Sequence, residues 1–313
     1  MSDKLNSEFR NEFKHDFKSD SKQDLTQEIK NFQYIASAHM PQPGETPLLA
    51  GIDIYGESLP LGDVVGGDHI IYIDFNRRFD LDRRISEAST DELKARLARN
   101  KTRAGIMLAD VSGHQTTDAT LHIGFHHAFL LGLIYELDTK GEVTTHLFEN
   151  LNTRFFKTAN FTKYITMIYG EIAESGDFIF LSAGHPPPVV YSREYDQIVD
   201  ILPDRLITFY PIGMFPSDED VDRSKVSPEF VGKKKYTVNH IKLLSPGDIL
   251  FLYTDGLQDH ERDGESYFPD RLQEVIRRTR DLSAQKIFDS IRKDLYDFAP
   301  PQDDISVVVV KRS

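Results

Sequence analysis

The sequence predicts an α+β protein in which two antiparallel sheet layers are flanked by helices. Short apolar runs bounded by Gly, Asp and Pro recur along the chain and are typical of strands. Longer segments with apolar residues at helical spacing lie between these runs. Two pairs of strand-like runs also carry aspartates at ends that meet if the runs pair antiparallel. Such a mixture is expected to form a layered sandwich around a large core.

Residues 1 to 45 are predicted to form a helical segment and a linker before a domain at residues 46 to 313. The first 38 residues carry apolar side chains at i,i+4 spacing with a break near residue 20, which predicts an amphipathic helix and not a regular coiled coil. These apolar side chains must be shielded from water by the domain itself, by a second copy of the chain (self-association) or by an activator protein. The apolar stripe is Leu5, Phe9, Phe13, Phe17, Leu25, Ile29, Phe32 and Ile35, and the linker prolines are Pro41, Pro43 and Pro47.

The domain is predicted to begin and end with strands. A Glu-Ser-Gly-Asp turn at residues 174 to 177 predicts one hairpin, and a loop-rich span follows the strand after it. The predicted strands are residues 51–57, 69–75, 105–109, 164–172, 177–182, 189–191, 249–254 and 305–310. The predicted helices are residues 116–137, 143–156, 270–279 and 283–298.

Residues 76 to 103 are a basic insertion in the first hairpin. They contain nine Lys and Arg against five Asp and Glu, a local charge of +4 in an acidic protein. Thr90 is expected to precede a short helix with Leu93 and Leu97 on its apolar side. The insertion is expected to project from the hairpin end away from the acids. This position favours regulation or docking, and the alternative is a solvated surface helix.

Four aspartates stand where antiparallel pairing would bring strand ends together. Asp68 precedes the run that would pair with the run ending at Asp110, and Asp255 ends a run that would pair with the run after Asp303. A turn explains any one of them, because Asp beside Gly is common in turns. Four carboxylates at one sheet end would repel one another unless a cation neutralised them. Oxygen ligands without cysteine select Mg²⁺ or Mn²⁺, so the set predicts a metal site.

Five motifs in this order resemble the metal-dependent protein phosphatases, and more narrowly the bacterial SpoIIE/RsbU branch of the protein phosphatase 2C superfamily. The resemblance covers about residues 30 to 313 apart from the insertion. It implies an α-β-β-α sandwich, two Mn²⁺ or Mg²⁺ ions, and removal of phosphate from phosphoserine or phosphothreonine. The motifs are GGD ending at Asp68, DVSGH from Asp110, AGHPPP at 183–188, SPGDILFLYTDG at 245–256 and DDIS at 303–306.

The same resemblance implies roles for the site residues. Asp110 would bridge both ions, and the Val111 carbonyl would help to hold one of them. Asp68 would hold one metal, and Asp255 and Asp303 would hold the other. A phosphate dianion repels hydroxide, and two divalent ions relieve that repulsion while they activate water.

Strand alternation separates the neighbours Asp303 and Asp304, because their side chains should point in opposite directions. The resemblance favours Asp303 as the metal ligand and gives Asp304 a supporting role. Gly66, Gly67 and Gly256 are expected either to allow close backbone approach to the ions or positive φ, or to form plain turns.

The histidines carry weaker signals. His114 departs from the family pattern, since Gln115 follows it where the family has glycine, and it would either donate a proton to the leaving group or orient the loop. His185 is expected to be a structural loop residue. His122 and His126 have the i,i+4 spacing of a metal pair, but no acid or third histidine lies nearby in sequence, so packing is expected. No arginine can be assigned to the phosphate.

Composition excludes several classes of protein. The formal charge of −13 argues against nucleic-acid binding, and the absence of cysteine excludes disulfides and thiolate zinc sites. Residues 1 to 20 lack the apolar core of a signal peptide. The most apolar run, residues 121 to 137, is too short and too polar to span a membrane. A cytoplasmic protein is therefore expected.

The expected function is that of a metal-dependent protein-serine/threonine phosphatase. By resemblance, its substrate would be a phosphorylated anti-sigma-factor antagonist of the STAS type in a bacterial partner-switching pathway. The chain shows no Walker-type glycine loop, which favours a phosphorylated protein over a nucleotide. The alternative is a catalytically inactive phosphatase-fold module that binds a partner. Retention of all four acids argues against that alternative, because a binding module has no reason to concentrate repelling carboxylates.

Overall fold

Two β-sheets are stacked face to face, and helices cover the outer face of each. The computed structural model describes residues 45–61, 66–112, 116–158, 163–199, 201, 206–217, 234–243 and 245–313, with single positions between 24 and 38. The strands are β1 (Ile52–Leu59), β2 (Asp68–Asp74), β3 (Arg103–Val111), β4 (Ile165–Ala173), β5 (Asp177–Ala183), β6 (Val189–Ser192), β7 (Gln197–Val199), β8 (Thr208–Phe209), β9 (Asn239–Lys242), β10 (Ile249–Tyr253), β11 (Glu261–Arg262), β12 (Glu265–Ser266) and β13 (Ile305–Arg312). The helices are α1 (Phe75–Arg78), α2 (Leu81–Glu87), α3 (Asp91–Arg99), α4 (Thr116–Lys140), α5 (Thr145–Thr158), α6 (Asp255–Gln258), α7 (Asp270–Thr279) and α8 (Ala284–Phe298). The predicted α-β-β-α sandwich is confirmed.

The strand order differs from the predicted antiparallel layers at one edge. One sheet has the order β1-β13-β10-β6-β7, and the other has the order β2-β3-β4-β5-β8 with β9 also paired to β5. Among the described strands of these sheets, β5 and β8 form the one parallel pair, over two residues. The pair is parallel because the chain reaches β8 by crossing from the other sheet and not through a hairpin.

Three apolar clusters fill the spaces between the four layers. One lies between the sheets, one lies between the β2–β8 sheet and helices α4 and α5, and one lies between the β1–β7 sheet and helices α7 and α8. In β13, Val308 and Val310 face the other sheet, whereas Val307 and Val309 face the helices. A strand buried on both faces needs apolar residues at every position, which explains the continuous run in the sequence.

Helix α4 confirms the predicted helix from Thr116 and extends it to Lys140. Its buried apolar residues recur every four positions and face the β2–β8 sheet. They are Phe125, Phe129, Leu133 and Leu137. Within the described ranges, neither α4 nor any other helix combines the length and the apolar character needed to cross a bilayer.

The insertion at residues 76 to 103 folds into α1, α2, α3 and a 3₁₀ turn. It follows Asp74, at the end of the β2–β3 hairpin opposite to Asp68, as expected. Thr90 caps α3, since its side chain accepts a hydrogen bond of 3.1 Å from the Leu93 amide. The predicted helix start is therefore confirmed.

Contacts with α4 hold the insertion against the domain. Leu97 of α3 is buried. Arg84 forms an ion pair with Asp138 of α4 and lies over the ring of Phe79. Arg83 is exposed and pairs within its own helix. One side of the insertion is therefore packed on the domain, and its role in regulation or docking stays a prediction.

The amphipathic stripe of the N-terminal segment falls mostly outside the described residues. The stripe positions from Leu5 to Phe32 lie there. Ile35 and the neighbouring Tyr34 are described, and both are helical and exposed. The division into residues 1–45 and 46–313 therefore stays a prediction.

Candidate metal centre between the sheets

Asp68 and Asp110 stand directly opposite each other where β2 begins and β3 ends. Ile70 and Leu108, two residues along each strand, face the other sheet. Because side chains alternate along a strand, Asp68 and Asp110 share that face. Both carboxylates therefore point into the space between the sheets at one end of the sandwich, and the pairing predicted for these strands is confirmed.

Thr254 ties this acid pair to the opposite sheet. The residue follows β10 and is fully buried. Its hydroxyl donates a hydrogen bond of 2.7 Å to the Asp68 carboxylate. The hydroxyl also accepts a hydrogen bond of 2.9 Å from the Ser306 amide on β13. One Asp68 oxygen is therefore held in place by the other sheet.

β10 and β13 bring a second pair of acids to the same end. Tyr253 is in register with Val307, so Asp255 after β10 and Asp303 before β13 lie at the same end of the sheet. Burial raises the pKa of Asp255 first, and repulsion from Asp303 raises it further. The predicted second pairing is confirmed, while the role of each acid stays a prediction.

Asp304 differs from its neighbour in exposure, since Asp303 is exposed and Asp304 is buried. Both residues precede β13, so the opposite directions predicted from strand alternation stay a prediction. The Asp304 carboxylate accepts hydrogen bonds of 2.6 Å from the amides of Leu61 and Gly67. Because Gly67 precedes Asp68, the buried acid fixes the backbone from which the first acid pair starts.

Asp304 also explains why positions 66 and 256 are occupied by glycine. A Cβ atom at Gly66 would overlap the Asp304 carboxylate, and one at Gly256 would overlap the Asp304 carbonyl oxygen. Neither glycine is among the residues with positive φ. Close approach to Asp304, and not positive φ, is therefore what the structure requires at both positions.

The acids are a donor set that favours a cation. Burial raises the pKa of Asp68 well above its usual value, and repulsion from Asp110 adds to this, while Thr254 and Ser306 partly oppose it. A divalent ion bound by oxygens would relieve the repulsion in both acid pairs. No group of three or more His, Asp or Glu side chains within the described ranges is placed to hold an ion. Convergence of all four acids on two ions therefore stays a prediction.

The loop after β3 is described only in part. The Val111 amide donates a hydrogen bond of 3.1 Å to the Gly67 carbonyl, so the end of β3 lies beside the turn before Asp68. Residues 113 to 115 lie outside the described ranges, and with them His114. The roles predicted for His114 and for the Val111 carbonyl remain predictions.

Lys163 is a site candidate that the sequence did not reveal. Its ammonium donates a hydrogen bond of 3.0 Å to the Ser112 carbonyl, two residues after Asp110. The Tyr164 amide donates to the Ser112 hydroxyl at 3.0 Å, which fixes the same turn. Lys163 therefore places a positive charge beside the turn that follows Asp110. No sequence motif surrounds Lys163, so its position beside the acids could be found only from the fold.

Three histidines meet on the helix side of β2. His69 Nε2 and His126 Nδ1 lie 2.7 Å apart, and the ring centroids of His69 and His122 lie 3.8 Å apart. His69 faces α4 because it follows Asp68 by one position in the strand. The rings pack between β2 and α4, in accord with the expected packing role. The sequence did not indicate that His69 joins His122 and His126, because it lies far from them along the chain.

Comparisons with solved structures agree on this fold. The SiaA-PP2C domain of Pseudomonas aeruginosa matches with a TM-score of 0.60 at 15% identity, over 94% of this chain and 98% of that one. The RsbU and RsbW domains of Rv1364c from Mycobacterium tuberculosis match with a TM-score of 0.56 at 20% identity, over 87% of this chain and 64% of that one. The PP2C phosphatase domain with a regulatory fragment of SpoIIE from Bacillus subtilis matches with a TM-score of 0.56 at 15% identity, over 84% and 64%.

The sequence itself matches a family model. No curated protein matches the chain in sequence. The model described as Stage II sporulation protein E (SpoIIE) matches residues 100–313, which is more than half of the chain. That stretch runs from the last turn of the insertion to the C-terminus and contains Asp110, Asp255 and Asp303. The chain therefore belongs to the SpoIIE family and has the PP2C-type phosphatase fold.

Proposed function

We propose that this protein is a metal-dependent phosphoserine/phosphothreonine protein phosphatase. The observation that carries the proposal is the pairing of Asp68 with Asp110 at the sheet end where Asp255 and Asp303 also lie. Membership of the SpoIIE family supports the same reaction class. Like charges held close together repel one another and cost free energy, and a catalytic cation site gives them a function.

The donor set fits two Mn²⁺ or Mg²⁺ ions, because the acids offer hard oxygens and the chain has no cysteine. Asp110 would lie between the ions, Asp68 and the Val111 carbonyl would hold one side, and Asp255 and Asp303 the other. When bound, the ions would supply the Lewis acidity that activates water and neutralises phosphate oxygens.

The chain's own residues prepare the site. The Thr254 hydroxyl holds one Asp68 oxygen, so that the carboxylate keeps a single orientation. Asp304 holds the Gly67 amide, and the neighbouring Asp303 is exposed. Lys163 would attract the phosphate dianion to the loop after Asp110. His114 would donate a proton to the leaving group or orient that loop.

The substrate we propose is a phosphorylated protein, and specifically an anti-sigma-factor antagonist of the STAS type in the cytoplasm of a bacterium. The motif resemblance and SpoIIE family membership support this class. The acids lie at a sheet end between strand termini, so affinity would come from a docking surface more than from the phosphate alone. We further propose that residues 1 to 45 form a regulatory helix and linker, where an activator protein or a second copy binds.

The second candidate function is an inactive binding module of the same fold. One observation on the sequence favours it: Gln115 stands after His114, where the family usually has glycine. The presence of all four aspartates favours the phosphatase, since a binding module has no need for four carboxylates that repel one another.

Hydrolysis of p-nitrophenyl phosphate by the purified chain separates the two functions. We expect slow hydrolysis that requires Mn²⁺ or Mg²⁺ and stops with chelator, with much higher kcat/KM on a phosphoserine-bearing domain. Asp110→Asn should lose at least ~100-fold in activity, because it removes a main electrostatic term of the site. Full activity of the Asn variant with unchanged metal content would show that Asp110 is not a metal ligand. Inactivity of the wild-type chain on both substrates with either metal would favour the binding module.

A further inference from the structure

Ser112 ends the ladder between β3 and β4 with its side chain. Val111 is directly opposite Ile165, so Ser112 and Tyr164 are the next pair along the two strands. The Ser112 amide donates a hydrogen bond of 3.0 Å to the Tyr164 carbonyl, as in a regular antiparallel pair. The return bond from the Tyr164 amide goes at 3.0 Å to the Ser112 hydroxyl, where a regular ladder would use the Ser112 carbonyl. The hydroxyl therefore takes the place of a backbone acceptor.

The Ser112 carbonyl, which the hydroxyl replaces in the ladder, is bound by a lysine. The ammonium of Lys163 donates a hydrogen bond of 3.0 Å to this oxygen. Ser112, Lys163 and Tyr164 are all half-buried. The two residues before β4 therefore hold all three polar groups of Ser112, which are its amide, its hydroxyl and its carbonyl.

The neighbouring segments hold this arrangement on both sides of β3. At the start of β4, the Ile165 amide donates at 3.1 Å to the Ile212 carbonyl, and the Ile212 amide donates at 2.8 Å to the Ile165 carbonyl. On the other side, the Val111 amide donates at 3.1 Å to the Gly67 carbonyl. The chain is therefore held in the sheet as far as Val111, and it leaves the regular ladder at Ser112.

The bonds of Ser112 also set the direction of the Val111 carbonyl. This carbonyl and the Ser112 amide belong to one planar trans peptide unit, in which they point in opposite directions. Because the Ser112 amide points at the segment before β4, the Val111 carbonyl points away from it, toward β2. There the Gly67 amide, which would meet this carbonyl in a regular ladder, donates at 2.6 Å to the Asp304 carboxylate instead.

We propose that Ser112 is a positioning residue that holds the Val111 carbonyl on the side of Asp68 and turns the chain out of the sheet behind it. The inference rests on the proposed function, because the direction of this carbonyl matters only if it helps to hold a metal ion. Without the hydroxyl, the Ser112 carbonyl would return to the ladder and extend β3 by one residue. The turn would then start later, and the Val111–Ser112 peptide plane would follow the twist of the sheet.

The test compares Mn²⁺ affinity by calorimetry with melting temperature. Ser112→Ala should weaken Mn²⁺ binding about 10-fold, the usual scale for a group that orients metal ligands. The melting temperature should stay close to that of the wild type, because the carbonyl of residue 112 can replace the hydroxyl as the acceptor for the Tyr164 amide. Ser112→Thr keeps the hydroxyl and should have an affinity close to that of the wild type.

Lys163 gives a second comparison, which leaves Ser112 in place. Lys163→Met and Lys163→Gln both remove a positive charge, a change that by itself favours the binding of a cation. The Gln variant keeps a donor for the Ser112 carbonyl, whereas the Met variant has none. Lys163→Met should therefore bind Mn²⁺ more weakly than Lys163→Gln. If Ser112→Ala does not fold, this pair decides the proposal, and equal affinities of the two variants would overturn it.

Ser283 offers a matched control. Its hydroxyl also accepts a hydrogen bond from a backbone amide, that of Lys286 at 3.4 Å, and caps the start of α8. Ser283→Ala should lower the melting temperature through loss of the cap and leave Mn²⁺ affinity unchanged. Wild-type affinity in Ser112→Ala, or equal losses of affinity in both Ala variants, would overturn the positioning role alone. A wild-type chain that binds no Mn²⁺ would overturn the proposed function, and the positioning role with it.

Discussion

Thr254 donates a hydrogen bond of 2.7 Å to the carboxylate of Asp68, from the end of a strand in one sheet to the first residue of a strand in the other. The two residues are 186 positions apart in the chain. The Ser306 amide donates to the same hydroxyl, so the donor is itself held in place. The orientation of one acid in the candidate metal centre thus depends on how the two sheets stack.

Thr254→Val should weaken Mn²⁺ binding by about 10-fold, because it removes the group that orients Asp68 but keeps the shape of the side chain. Isothermal titration with Mn²⁺ measures the effect. Thr254→Ser keeps the hydroxyl and serves as the control, with affinity close to that of the wild type. Equal affinity of the Val and Ser variants would show that Asp68 needs no support from the other sheet.

Asp303→Ala and Asp304→Ala should fail in different ways. Asp303 is exposed, so its loss should remove metal affinity and activity with little effect on stability. Asp304 is buried and accepts from two backbone amides, so its loss should lower the free energy of unfolding by about 1–3 kcal/mol for each amide left without its acceptor. Urea unfolding in chelator and Mn²⁺ calorimetry separate the two effects. If Asp304→Ala stays stable and is the variant that loses metal, the assignment of the neighbours is reversed.

The stability of the metal-free protein should fall as pH rises. An unfolded Asp has a pKa of about 3.9, whereas burial and repulsion from Asp110 raise the pKa of Asp68 in the folded protein. The folded chain therefore binds this proton more tightly, and the free energy of unfolding decreases between the unfolded and the folded pKa. Urea unfolding in chelator at a series of pH values measures the slope.

Asp68→Asn provides the control for this pH dependence. The amide does not titrate, so the decrease should become shallower, while Asp255, whose pKa is also raised, keeps a part of it. Added Mn²⁺ should abolish the decrease in the wild-type protein, because the cation replaces the proton. Parallel profiles of the two proteins in chelator would show that Asp68 does not titrate in this window.

Deletion of residues 1 to 38 should change the activity or the oligomeric state of the protein in solution and leave Mn²⁺ affinity intact. The reason is the apolar stripe of the segment, which needs a cover. Light scattering and steady-state kinetics on the full and shortened chains measure the two properties. A matched variant is Phe9→Asp with Phe13→Asp in the full chain, which interrupts the stripe but keeps the length. An unchanged oligomeric state and unchanged kinetics in both variants would show that the segment has no regulatory or binding role.

The sequence by itself determined the strands that carry the acids and the way they pair. Alternating and continuous apolar runs define β2, β3, β10 and β13, and strand pairing depends on a period of two residues that a sequence displays directly. The positions of Asp68 and Asp110 at matching strand ends follow from that pairing. The short edge strands β7, β8 and β9 were missed, because two to four residues are too few to show it.

Only the tertiary structure decided which side chains support the acids. The links from Thr254 to Asp68, from Asp304 to Gly67 and from Lys163 to Ser112 join elements through the stacking of sheets or the folding of a loop. Such contacts depend on the distance and angle between layers, which are set by the packing of the whole core and leave no periodic signal in the sequence. The acids could therefore be found from the sequence, whereas the groups that hold them in place required the fold.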